Sequence, residues 1–216
     1  MVRTLSEAES KGVLAAYGVP CVPERVTSDA SAAVAAAREL GLPVVAKLTG
    51  PAVAHKSERG LVRLGLTTED AVERAATELL AAARPEDGDV GVLVAPMVHG
   101  SRELIVGAHR DRQFGACVMV GVGGVLAEAI ADVAFRLVPV TTVDAEEMLD
   151  DLGGQSLLGA VRGDAPVDRS AVAEILLALS RLLAERADVA SVDVNPLLVQ
   201  RDGSPVAVDA LVETTS

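Results

Sequence analysis

The stretch SVDVNPLLVQRDGSPVAVDA, residues 191–210, decides how this chain is read. Its apolar residues and the turn signal RDGS describe a β-hairpin. Asp193, Asn195 and Asp209 nevertheless sit inside it, and carboxylates and amides are costly on a buried sheet face unless something pairs with them. Asp193 and Asn195 alternate with Val192 and Val194, so on a strand the two polar side chains share one face and the valines the other. Pro196 ends regular pairing. A three-residue reversal, Asp202 to Ser204, puts Asp209 on the polar face, diagonally across from Asn195; a two-residue turn puts it on the opposite face. In the first geometry two carboxylates and an amide oxygen converge, the hard oxygen donors that Mg²⁺ prefers when phosphate oxygens complete its shell. A solvated edge hairpin is the plain alternative, and the strongly apolar flanks LLV and VAV weigh against it.

The chain around the hairpin has 216 residues, half of them apolar, enough for one large domain or two intimate subdomains with a substantial core. Two Phe, one Tyr and no Trp mean that this core is built from Ala, Val and Leu, with few rings for base stacking. A formal charge of −12 repels phosphate backbones and anionic headgroups, so neither nucleic acid nor a membrane is an expected partner. Cys21 and Cys117 lie far apart without metal-ligand spacing and read as small core residues of a reducing compartment. The N-terminal MVRTLSEAESKG lacks the apolar run of a signal peptide, and no stretch reaches the roughly 20 apolar residues of a membrane helix. The expected location is the cytoplasm.

Amphipathic helices alternate with short β-branched runs, which points to α/β or α+β architecture. SEAESKGVLAAYG reads as a helix with Ser6 as N-cap and Gly18 as its stop; SDASAAVAAARELG repeats the pattern, Ser28 capping and Gly41 ending it. PVVAKL, 43–48, is a strand, and VRLGL follows it after a loop. TTEDAVERAATELLAAARP is a third helix, apolar at 72, 75, 76, 79, 80 and 83. VGVLVAPMV, RELIVGAHRD and ACVMVGVGGV supply further strands, and helices at 144–152 and 168–186 precede the hairpin.

Three other places carry chemistry-bearing residues. Lys47 stands among apolar neighbours in PVVAKL, where an ammonium either meets an anion such as a nucleotide phosphate or snorkels at an edge. The loop VAHKSERGLV, 53–62, crowds His55 with cations, a setting for proton or phosphoryl relay or simply an exposed charged loop. The glycine-rich MVGVGGVLAE fits neither the dinucleotide fingerprint nor the P-loop and reads as a tight strand-to-helix turn.

Taken together, SEAESKGVLAAYGVP, LGLPVVAKL, AHKSERG, RELIVGAHRDRQFG, VMVGVGGVLAE, DVAFRLVP and DVNPLLV stand in the order found in a known family. Over nearly its whole length the chain resembles the ATP-grasp domain of the NDP-forming acyl-CoA synthetases, a group that includes ADP-forming acetate–CoA ligase and succinyl-CoA synthetase β subunits. The resemblance implies two subdomains that grip ATP, an inserted lid at about 21–94 and a main part formed by 1–20 and 95–216. It implies that Lys47 meets the nucleotide phosphates, that LVAPMV, with Ala95 and Val98, is the hinge along the adenine, and that Glu103 is an acidic nucleotide contact. Asn195 and Asp209 match Mg²⁺ ligands, Asp193 an acidic residue facing an incoming phosphohistidine, and His55 a lid histidine that relays phosphoryl between the partner and the nucleotide. Two positions depart from the pattern. Ala95 replaces an acidic or amide residue that opens the hinge, and Leu61 stands in SERGLV where the pattern has a glycine.

The resemblance implies ATP/ADP and Mg²⁺ as cofactors. It also implies a CoA-binding α subunit in a hetero-oligomer, because this sequence shows neither a CoA-binding domain nor a phosphohistidine segment; the carboxylic acid and CoA then bind on the partner. Two rival readings are an ATP-grasp carboxylate–amine ligase, for which His55 is dispensable, and a nucleotide-binding module without turnover, which Ala95 and Leu61 favour.

Overall fold

The computed structural model describes residues 2–50, 52, 53, 56, 59–124 and 131–215. The chain runs β1 (Val2–Thr4), α1 (Glu7–Ala16), β2 (Arg25–Thr27), α2 (Ala30–Leu40), β3 (Val44–Thr49), β4 (Val62–Leu66), α3 (Glu69–Ala81) and β5 (Gly91–Pro96). It continues through β6 (Gly100–Asp111), β7 (Gly115–Val122), β8 (Val133–Leu137), α4 (Thr142–Asp150), α5 (Gln155–Leu158) and α6 (Arg169–Glu185). It closes with β9 (Val189–Gln200), β10 (Pro205–Ala207) and β11 (Ala210–Thr215). Two compact units result, residues 1–21 with 99–216, and residues 22–98. Among the described residues no helix is long and apolar enough to cross a membrane.

The helix starts follow from side chains that satisfy the first free amides. Ser6 and Glu9 form a reciprocal capping box on α1, with Ser6 N–H donating to Glu9 Oε2 at 2.8 Å. For α2 the expectation of Ser28 as cap is corrected: Asp29 is the N-cap, its Oδ1 accepting from Ala32 N at 2.8 Å, while Ser28 Oγ donates to the other carboxylate oxygen. A carboxylate is the stronger acceptor and complements the positive helix end, which explains the one-residue shift. On α3 the periodic residues Val72, Ala75, Ala76 and Leu79 are buried, and Leu80 and Ala83 pack partly against the same core.

The larger unit is built on an antiparallel sheet with the order β1-β11-β9-β6-β7-β8, to which β10 adds by pairing with β9. One face of this sheet presents Val106, Ala108, Val118, Val120, Ala134, Val192, Val194 and Val212, all buried in one cluster with Ile175, Leu176 and Leu179 of α6 and Met148 of α4. The opposite face carries no comparable helical cover among the described residues; there Asp193, Phe135, Leu137 and Leu211 are exposed. That asymmetry is what an antiparallel sheet permits and what leaves a surface for a ligand.

The smaller unit has a four-stranded antiparallel sheet, β2-β5-β3-β4, with α2 and α3 on one face. Its core is Val44, Ala46, Leu48, Val92 and Val94 against Ala33, Ala37, Val72, Ala76 and Leu79.

Candidate functional site

The closing hairpin is paired in two stretches, β9 with β10 and β9 with β11, with residues 208 and 209 between them. Val199 pairs with Pro205 on β10, and Asp193 pairs with Leu211 on β11, so both arms keep a single register through residues 208 and 209. The reversal is three residues long but lies at Arg201–Gly203, one residue earlier than Asp202–Ser204: Gln200 N–H donates to Ser204 O at 2.9 Å, and Gly203 has φ +91°. The correction has a physical cause, since only glycine takes that last left-handed position readily. It leaves the parity unchanged and moves Asp209 from diagonal to directly opposite Asn195, beside the Val208 N–H bond to Pro196 O at 3.3 Å.

Asp193 and Asn195 are both exposed while Val192 and Val194 are buried, as strand alternation requires. At Asn195–Pro196 the pairing of β9 with β6 slips by one residue: Leu104 pairs with Leu197 but Val106 with Val194. Ile105 of β6 thus lies opposite two residues of β9, a bulge of the kind that re-aims a side chain beside a functional surface. The Asp193 carboxyl is held above its ordinary range, first by desolvation and then by the charge of Asp209. A divalent cation beside Asp193 would offset that repulsion. Asn195 and Asp209, with the Asp193 charge beside them, therefore fit a hard cation. Among the described residues no group of three His, Cys, Asp or Glu side chains is arranged to hold a metal, so a cation on Asn195 and Asp209 would need further oxygens from elsewhere.

Glu103 lies two strands away from β11 on β6, half-buried, in register with Leu198 of β9. Its carbonyl accepts from Gly123 N–H at 2.8 Å, and a Cβ at Gly123 would stand 3.0 Å from that same carbonyl. The glycine-rich GVGG is thus explained in part by close backbone approach to Glu103, with Gly124 at φ +95° beyond it. The helical half of the predicted strand-to-helix turn falls on 125–130, outside the described residues.

In the smaller unit Lys47 is half-buried on β3, paired with Val62 of β4 and Leu93 of β5. Strand alternation turns it away from α2 and α3, onto the face that also carries Val45, Leu93 and Ala95, all buried. Lys47 and Ala95 therefore stand on one face, with Val98 half-buried just beyond β5. His55 lies outside the described residues. The end of its loop is firmly held: Arg59 makes a two-pronged ion pair with Asp87, both contacts 2.7 Å, and Arg84 N–H donates to Asp87 at 2.8 Å. These contacts, the Arg59 guanidinium first, hold the Asp87 carboxyl down at about 2. Leu61 is 2% exposed and belongs to the core, which accounts for a leucine at that position.

The open sheet face also has an apolar part, which no sequence motif marks. Val133, Phe135 and Leu137 of β8 project there, alternating with buried Ala134 and with Arg136, which pairs with Asp151 at 2.8 Å. The alternation V-A-F-R-L was the available signal.

An ATP-grasp domain family matches residues 2–214 of the chain. The β subunit of ADP-forming acetate–CoA ligase II from Pyrococcus furiosus is 36% identical over 211 residues, covering 95% of this chain and 89% of the relative. The ADP-forming acetate–CoA ligase I of Archaeoglobus fulgidus is 39% identical over 202 residues, which are 92% of this chain and 29% of that longer protein. Among solved structures, acetyl-coenzyme A synthetase 1 of Candidatus Korarchaeum cryptofilum, in complex with coenzyme A and Ca-AMPCP, superimposes with a TM-score of 0.92 at 35% identity, covering 99% of this chain and 94% of that one. The same synthetase with Mg-AMPPCP, its phosphohistidine segment pointing towards the nucleotide binding site, gives a TM-score of 0.86 at 34% identity over 99% of this chain and 93% of that one. With the ordered motifs, the two sheets and this similarity over nearly the full length, the chain belongs to the ATP-grasp family, alongside the β subunits of the ADP-forming acetate–CoA ligases.

Proposed function

We propose that this chain is the nucleotide-binding subunit of an ADP-forming acyl-CoA synthetase, which converts acid, CoA and ATP reversibly to acyl-CoA, ADP and phosphate. The observation that carries this reading is the convergence of Asp193, Asn195 and Asp209 on one open sheet face, in a chain 36% identical to a ligase β subunit. Asn195 and Asp209 hold Mg²⁺, and Lys47 meets the phosphates. Ala95 and Val98 line the adenine through the backbone, and Glu103 is a further contact to the nucleotide. When bound, Mg²⁺ neutralises charge on the phosphates and orients them for transfer. The lid is the inserted segment 21–94.

In this reading a histidine of a CoA-binding partner subunit exchanges phosphoryl with the nucleotide. Towards ADP and phosphohistidine, the bond from the γ-phosphorus to the β–γ bridging oxygen breaks as a phosphorus–nitrogen bond forms, and the imidazole proton leaves. His55 divides the path into two such exchanges, and Asp193 accepts a hydrogen bond from the partner's imidazole, orienting it. Labelled ATP incubated with the complex tests this. An acid-labile, base-stable label on the wild-type chain that disappears in His55→Ala supports the relay. Full synthetase activity of His55→Ala sinks the relay, and no detectable heat on titrating MgATP into the wild type sinks the nucleotide-binding role.

A further inference from the structure

The open face of the larger sheet has a second half that the nucleotide does not account for. Directly paired residues form a row across four strands: Asp193 of β9, Gly107 of β6, Met119 of β7 and Phe135 of β8. The next row is Ser191, His109, Cys117 and Leu137. Between the carboxylate and the aromatic ring the missing side chain of Gly107 leaves a depression of about 140 Å³, lined also by Met119, His109 and Ser191. A space of this size admits one branched or aromatic side chain. Phe135, which lines it, is 54% exposed, and Leu137 in the neighbouring row is 56% exposed. Both phenylalanines of a chain that has only two are exposed, the other being Phe114. A core built almost without rings has left one of them on a sheet face beside a carboxylate cluster.

From this juxtaposition we infer that the Gly107 depression, with Phe135 and Leu137, seats an apolar residue flanking the histidine of the partner subunit's phosphoryl-carrying segment. The inference rests on the functional reading above and adds the surface by which the partner is held. A histidine that reaches phosphoryl beside Asp193 brings its chain neighbours over the same sheet face. An extended segment advances about 3.3 Å per residue, so residues two to four places away lie roughly 7–13 Å from the histidine. Three strand spacings of about 4.8 Å put Phe135 roughly 14 Å from Asp193, and the depression falls between them. The ion site and the apolar seat are thus adjacent parts of one face, matched to a segment with a polar reacting residue and an apolar neighbour. A second copy of this chain fits less well, because it brings another charge of −12 against the same carboxylates.

The test uses the complex, with the partner taken as the chain that co-purifies from the native host and accepts acid-labile label from MgATP. Phe135→Ser/Leu137→Ser alters two exposed side chains, and unchanged MgATP binding by calorimetry shows that the fold and nucleotide site are intact. The expected result is a KM for the partner raised roughly tenfold, as for the loss of apolar anchors, with kcat for labelling kept at saturating partner. An unchanged KM overturns the inference and leaves the functional reading standing. A wild-type chain that binds MgATP yet labels no partner overturns both. Dimerisation of the chain alone, abolished by the same double variant, overturns the inference in favour of self-association.

Discussion

Leu61→Gly restores the residue expected from the family pattern and, on this structure, should weaken the smaller unit. Leu61 is 2% exposed and sits in the cluster with Leu48, Val92 and Leu79. Its backbone is fixed on both sides: Leu61 N–H donates to Lys56 O at 2.7 Å, and Leu48 N–H donates to Leu61 O at 3.0 Å. Backbone bonds hold the site in place, so it closes poorly around a void, and truncation to alanine in such cores costs about 3–5 kcal/mol. Going on to glycine adds roughly 0.4–1 kcal/mol through the freer unfolded chain. The sum is about 3–6 kcal/mol, concentrated in residues 22–98. Because the chain has two units, one unfolding midpoint does not isolate this loss. Native-state hydrogen exchange does: amides of Val44–Leu48 and Val92–Val94 should lose protection while those of Val192 and Val194 keep theirs. A loss below about 1 kcal/mol, or an equal loss in both units, would refute the argument that burial explains this leucine.

Three further outcomes follow from the same geometry. Lys47→Met should keep the apolar stem and remove the charge, weakening MgATP binding by roughly 10- to 100-fold in calorimetry, the range for a lost hydrogen bond to a charged group. Asp193→Asn should slow labelling of the partner's histidine in single-turnover measurements while MgATP still binds, since its assigned contact is to the partner. For Asp87, the folded carboxyl titrates at about 2 against an ordinary value of 3.8. A lowered pKa stabilises above the ordinary range, and that stabilisation fades as pH falls towards about 2. Urea midpoints followed at the amide signals of residues 22–98 should therefore drop between about pH 5 and pH 2, and Asp87→Asn should be less stable at the upper end with a flatter profile.

Local signals explain which features were legible from sequence. The helices announced themselves through period and caps: α3 buries the residues its periodicity selects, and Ser6 caps α1 as its spacing with Glu9 implies. At α2 the competition between neighbouring Ser28 and Asp29 was settled by which oxygen reaches Ala32 N, a matter of one residue that composition does not resolve. The shared face of Asp193 and Asn195 follows from strand alternation alone. The position of Asp209 depends on the turn, and the left-handed Gly203, rather than Ser204, ends that turn. What stayed hidden depends on distant pairing. Strand β1 exists because Val2–Thr4 pairs with the other end of the chain at Glu213–Thr215, and the row from Asp193 to Phe135 exists only once four strands are in register. The assignment of Lys47, Ala95, Val98, Glu103 and His55 came from resemblance, since single polar residues in apolar strands do not name their ligand.

The most direct test of the central claim is calorimetric titration of ATP into the wild type, Asn195→Ala and Asp209→Ala, each with Mg²⁺ and with a chelator. If the two arms of the hairpin hold a cation on the nucleotide, wild-type binding depends on Mg²⁺, and each variant loses most of that dependence. ATP binding of equal strength with and without Mg²⁺, or variants that bind MgATP as the wild type does, would contradict the account.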